Sequence, residues 1–170
     1  MSDAHTTTVT GEHRDLVEAL QAHRGFLRHT LAGLTDDQAR LTPTVSALSI
    51  AAIVKHVAAT ESSWIDFVLE GPAAMSHTPE EWAAEWQVGP DESPEVLLAR
   101  YEAVARRTDE LVLAGLDLDS SQPLPVAPWF PPDTRRSARR VLVHIVAETA
   151  QHAGHADIIR ETIDGQRTMG

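Results

Sequence analysis

Apolar residues recur along this chain at the three- and four-residue steps of a helix, with no segment at the two-residue step of a strand. Leu16, Leu20, Leu27 and Leu31 mark a first long helix from about Glu12 to Ala32, which Gly33 is suited to stop. Thr35-Asp-Asp-Gln38 has the form of a capping box for one short turn before Pro43 breaks the chain. A second long helix opens near Ser46 or Ser49, carries Ile50, Ile53, Val57, Trp64 and Val68, and ends after Glu70 at Gly71-Pro72. Thr78, Pro79 and Glu81 then start a short helix that bears Trp82 and Trp86. Ser93-Pro94-Glu95 starts the third long helix, which reaches about Leu113 with Val96 or Leu97, Tyr101, Val104 and Leu111 on one side.

The stretch from Leu116 to Thr134 holds five of the ten prolines and reads as an extended loop. A loop of that length inside a compact domain points to function. The fourth long helix runs from near Ser137 to about Ile163, with Gly165 ending it, a span of about 40 Å at 1.5 Å per residue. The pattern predicts an all-α, four-helix bundle with an additional short helix after helix two and a long proline-rich loop before helix four. Residues 1–10 form a polar, threonine-rich tail, and the 170 residues suit a single domain.

Composition narrows the chemistry. With 25 acidic against 14 basic residues and a net charge of −11, the chain repels polyphosphate, so nucleic acid is not an expected partner. The one basic cluster, Arg135, Arg136, Arg139 and Arg140, reads as a solvated face at the opening of a helix. No apolar run is long enough to span a membrane, and the first residues lack the form of a secretory leader, so a cytoplasmic location is expected. There is no cysteine. Any metal must therefore be held by nitrogen and oxygen, and any thiol chemistry must use a thiol brought in by a co-substrate.

The fourth helix carries the anomaly. Its apolar series Val141, Ile145, 148, 152, Ala156, Ile159, Ile163 is interrupted by Glu148 and His152. A carboxylate on an apolar stripe is costly unless it is paired or binds a metal. The two residues are four apart, one turn along a single face, and bundle cores build metal sites from facing helices. His56, between Ile53 and Val57, is the one histidine of helix two. His5 and His77 fall in loop-like regions, and His13, His23 and His29 belong to helix one without an acidic partner at ligand spacing. His144, one turn before Glu148, is not excluded as a ligand by spacing, and His155 is a candidate for support or proton transfer. Trp64, Trp82, Trp86, Trp129 and Phe130 are candidates to roof an apolar pocket.

At these residues the chain resembles the DinB family, in particular the branch that includes mycothiol-dependent maleylpyruvate isomerase. The resemblance covers nearly the whole chain. It rests on Leu27 to Ala39, on HVAATESSW from His56 to Trp64, on Trp86 with GPDESPEVLLARY, and most specifically on ETAQHAGHADIIRETIDG from Glu148 to Gly165. It implies a DinB-like four-helix bundle whose metal is held by one histidine of helix two and a pair on helix four, here His56, Glu148 and His152. Many members have histidine where this chain has Glu148, and the glutamate form resembles the mycothiol-using branch. The resemblance also favours a homodimer, for which helix one offers an apolar edge.

Two imidazoles and one carboxylate leave a coordination position open, the pattern of a catalytic zinc site that nickel would also fit. The expected activity is transfer of a low-molecular-weight thiol, mycothiol-like, to a small electrophile through a metal-bound thiolate. Two other activities fit the same ligands. A metal-activated water would make the protein a small-molecule hydrolase, and a closed coordination sphere would make it a non-catalytic metal-stabilised binding module.

Overall fold

A computed structural model describes residues 8–76, 78–128 and 130–169. The expectations for His5, His77, Trp129 and the tail before residue 8 lie outside the described residues. Among the described residues six α-helices follow one another: α1 (Gly11–Leu31), α2 (Asp36–Arg40), α3 (Ile50–Glu70), α4 (Pro79–Ala84), α5 (Pro94–Leu113) and α6 (Ala138–Asp164). A 3-10 turn over Pro72–Met75 joins α3 to α4. The four long helices make the all-α bundle the sequence predicts. No helix among the described residues is long and apolar enough to cross a membrane.

Side-chain caps set the helix boundaries, because each supplies an acceptor to a backbone N–H that the first turn leaves without one. Thr35, Ser49, Thr78, Ser93 and Ser137 each accept from the backbone N–H three residues on. Capping boxes at Thr35–Gln38 and Thr78–Glu81 are formed as expected, and Ser49 rather than Ser46 opens α3. At the start of α1 a less usual partner appears. His13 Nδ1 accepts from the Thr10 backbone N–H at 3.2 Å, while Nε2–H donates to the Leu116 carbonyl at 2.8 Å. That buried imidazole pins the head of α1 to the chain beyond α5.

Packing corrects the expected faces. On α5 the buried row is Leu97, Tyr101, Ala105, Thr108 and Val112, while Val96 lies exposed. On α6 it is Val141, Leu142, Ile145, Thr149, Ala153, Ala156 and Ile159. Glu148 and His152 therefore stand one step off the core stripe, at its edge. α6 lies along α1 and α3, and α3 also packs on α5. The apolar core is in two parts. One contains Leu27, Val57, Tyr101 and Ala156, and the other Leu20, Trp64, Val112 and Ile145.

Between them each long helix places a buried polar residue: Arg24, Glu61, Thr108 and Thr149. Arg24 donates to both oxygens of Glu61 at 2.5 and 3.1 Å and to Asp109 at 2.7 Å, and Thr108 donates to Glu61 at 2.6 Å. Burial acts against the Arg24 charge, but Glu61 and Asp109 outweigh it and raise its pKa.

The proline-rich segment is the expected loop, closed at its base by a short ladder. Ser121–Pro123 (β1) pairs antiparallel with Arg135–Ser137 (β2), with Gln122 opposite Arg136, and Leu124 N–H donates to Thr134 O at 2.8 Å. Two strands of three residues are too short to show a period, and their pairing joins residues 12 to 16 apart, so the apolar pattern does not reveal them. The short β2 also resolves the arginine cluster. Side chains alternate along a strand. Arg135 turns back to Ser121, and Arg139 pairs with Glu12 and Asp119, while Arg136 is half-buried and lines an open cavity beside α3 and α6.

Candidate metal centre

α3 and α6 bring His56, Glu148 and His152 together. One ligand atom from each lies within 4.8 Å of the other two, the spacing a single ion can bridge. The side chains are 13, 31 and 12 % exposed, so the group sits at the rim of the core and not inside it. That position resolves the apparent misplacement of Glu148: the carboxylate is reachable by water, and its desolvation is partial. His152 Nε2 lies 3.6 Å from Glu148 Oε2, and His144 Nε2 lies 3.7 Å from Glu148 Oε1. The Nδ1 of His152 is shut off from solvent without a hydrogen-bond partner among the described residues.

His56 is held on two sides. Its ring stacks on Trp86 with centroids 4.0 Å apart and planes 20° apart, and its Nδ1 is 3.3 Å from Glu85 Oε2. A carboxylate accepts and does not donate, so Nδ1 carries the hydrogen and Nε2 keeps the lone pair. Thr60 Oγ, 3.4 Å from Nε2, donates to it weakly. This is the arrangement in which an outer carboxylate orients a ligating imidazole. Both residues on the outer side come from the segment just past α4. That segment is tied down by Arg40, which donates to the carbonyls of Val88, Gly89 and Glu92, and by Lys55, which donates to Gln87 O and Glu92.

The electrostatics favour neutral imidazoles. Burial pushes His56 down to about 4, with His152 adding to the effect. Burial, then His155, lowers His152; burial, then Arg136, lowers His144. All three rings are thus unprotonated at neutral pH and offer lone pairs. The donor set is two neutral nitrogens and one carboxylate oxygen, which suits a first-row divalent ion and zinc in particular.

His56 and Glu148 form part of the wall of a cavity of about 930 Å³. Trp64, Trp82, Trp86 and Phe130 line it, as the sequence suggested, and Pro125, Val126 and Pro128 of the proline-rich segment close one side. His144 lies on that wall with its ring 4.9 Å from Trp64, and it stays outside the three-residue cluster. His155 is exposed, its ring centroid 5.9 Å from that of His152.

Sequence reasoning passed over one residue at the site, Glu85, and one buried charge of the core, Glu61. Glu85 lies in an acidic, exposed-looking stretch and meets His56 across 29 residues. Glu61 lies on α3 between Ala58 and Trp64, and only its place on the buried face distinguishes it; the apolar-stripe argument that found Glu148 applies to it with more force.

The sequence matches the family model described as mycothiol-S-transferase over residues 15–165. Among solved structures the chain is similar to one titled a conserved protein of locus from Enterococcus faecalis, at a TM-score of 0.66. Their sequences are 19 % identical, and the match covers 90 % of this chain and 97 % of that one, a likeness of fold. No curated protein matches the chain.

Proposed function

Because the chain belongs to the mycothiol-S-transferase family, we propose that it is a metal-dependent enzyme that transfers a mycothiol-like thiol to a small electrophile. His56, Glu148 and His152 hold the ion. The observation that carries this reading is the meeting of two neutral imidazoles and a carboxylate within 4.8 Å at the wall of a large, partly apolar cavity. A divalent ion held by these residues would supply the charge that lowers the pKa of a nearby thiol towards neutral pH.

The chain's own residues do the rest. Glu85 and Trp86 hold the His56 ring so that Nε2 keeps its lone pair. Glu148 adds a negative charge that offsets part of the ion's charge, and Trp64, Trp82 and Trp86 offer an apolar wall for the electrophile's body. None of these residues is a nucleophile. The attacking sulfur comes from the co-substrate, as the absence of cysteine requires.

Metal content measured by mass spectrometry on untagged protein, beside Glu148→Ala and His152→Ala, tests the reading. The expected result is about one zinc or nickel per chain, lost in both variants, together with turnover of an electrophile only when thiol is added. A folded protein that takes up neither metal refutes it.

A further inference from the structure

The outward face of α6 is unlike that of α5. α5 exposes Glu95, Arg100, Glu102, Arg106, Arg107 and Glu110, the charged pattern of a face turned to water. On α6, between Arg140 and Glu161, no exposed residue is Asp, Glu, Lys or Arg. Steps of three and four residues put Val143, Ala147, Gln151, Gly154 and Ile158 on one face, with Val143 46 % and Ile158 60 % exposed. Gly154 stands in mid-helix, where glycine weakens a helix relative to alanine, yet an added Cβ there meets nothing within 4 Å. Nothing inside the protomer calls for a glycine at that point.

The charges that bound this face sit at the wrong poles of their own helix. Arg140 lies in the first turn, which the positive end of the helix dipole disfavours, and Glu161 in the last, where the negative end acts against it. Arg140 makes no ion pair among the described residues and adds to burial in lowering the pKa of Arg136, while the Glu161 carboxylate has the exposed Arg167 at 3.6 Å. All these positions are symmetric about the point between Ala150 and Gln151. In two antiparallel α6 helices related by a two-fold axis through that point, Arg140 faces Glu161, Val143 faces Ile158 and Ala147 faces Gly154, each pair occurring twice. Both charges then lie beside the opposite pole of the other helix, and the small pair lets the backbones approach closely.

α1 agrees with the same axis. It runs alongside α6 in the same direction, tied by Glu12 to Arg139 at one end and by the Thr30 carbonyl to Arg160 at the other. The axis therefore crosses α1 near Ala22 and sets Phe26, 36 % exposed, against Ala19 of the other copy. From Arg140 to Glu161 the face is about 30 Å long, and two helices each about 10 Å wide present roughly 600 Å² per copy, at the lower edge of what a specific dimer needs. Two chains of net charge −11 repel each other, and a face without exposed acids is where they can meet. None of these residues lines the cavity beside the metal ligands.

We propose that this face binds a second copy of the chain, giving a two-fold dimer in which the α6 helices pair antiparallel about Ala150 and Gln151, flanked by the two α1 helices. The pairing does not depend on the proposed thiol transfer.

Gel filtration with light scattering on the full chain is expected to give a mass near twice 18.6 kDa. Gly154→Glu puts a charge at the centre of the interface and gives a monomer. Arg140→Glu and Glu161→Arg each weaken the dimer about tenfold, because each turns two attractions into repulsions, and the double variant recovers the wild-type affinity. The chain has no cysteine, so cysteine pairs read the register directly. Ala147→Cys and Gly154→Cys proteins cross-link under oxidant when mixed, and neither cross-links alone. A monomeric wild type overturns the proposal, whether the face is then bare or held by a different protein. A dimer that survives Gly154→Glu uses another surface and overturns it as well. So do a double charge variant that fails to recover and a cysteine variant that cross-links with itself. If Gly154→Glu does not fold by circular dichroism, the charge exchange and the cysteine pair decide.

Discussion

Arg24 and Glu61 form a buried ion pair in mid-bundle, with side chains 1 and 0 % exposed, and the partners on either side are unequal. Glu61 receives Arg24 and the Thr108 hydroxyl; Arg24 gives to Glu61 and also to Asp109, whose side chain is 18 % exposed. Removing one member of a buried pair costs about 3–5 kcal/mol, because the other charge stays desolvated. Arg24→Met leaves the Glu61 carboxylate with one hydroxyl, so its loss belongs at the upper end. Glu61→Leu leaves Arg24 still bound to Asp109, so its loss belongs at the lower end or below. Replacing both removes the desolvated charges together and brings stability back to within about 2 kcal/mol of wild type. For a chain of this size the Arg24→Met loss lowers the melting temperature by roughly 10 °C or more. Urea denaturation of the two single variants and the double variant measures the cycle. A double variant as unstable as the sum of the singles, or a Glu61→Leu loss exceeding that of Arg24→Met, refutes the reasoning.

Other outcomes follow from the same structure. Glu85→Gln removes the carboxylate that orients His56 and lowers zinc affinity by about 10- to 100-fold in a competition titration; an unchanged affinity shows that Glu85 does not position the ring. Burial acts against the charge on Glu92, but Lys55, the Gly89 N–H and Arg100 outweigh it and hold the carboxyl at about 2 instead of 4.5. Its folded pKa is lowered, so its contribution is present above pH 4.5 and fades as the pH falls towards 2. Glu92→Gln is accordingly less stable than wild type at neutral pH, and urea melts across that interval show the gap closing; a gap independent of pH contradicts the assignment. Gly165 ends α6 at φ +79° with nothing within 4 Å of an added Cβ. Gly165→Ala therefore loses about 1 kcal/mol through the backbone alone, and unchanged stability would show that the last turn frays in solution.

The helices were legible because their determinants are local. Caps at Thr35, Ser49, Thr78, Ser93 and Ser137 and the stop at Gly165 act within one turn, and a sequence displays one turn directly. Glu148 and His152 were visible for the same reason: a four-residue step on one helix is a statement about neighbours. His56 required a second helix, and family resemblance supplied the pairing that periodicity could not. Tertiary packing decided the rest. It set Glu148 and His152 at the edge of the core stripe by rolling α6 until Thr149 and Ala153 faced inward. It brought Glu85 to His56, joined Arg24 to Glu61 across 37 residues, and paired Gln122 with Arg136, the arginine that lines the cavity. A polar residue's surroundings are made by segments distant in the chain, and a one-dimensional pattern records only which residues are near in sequence. The chain's own order therefore determined which helices form and where two candidate ligands stand, while the fold alone decided which charges are buried and which are answered.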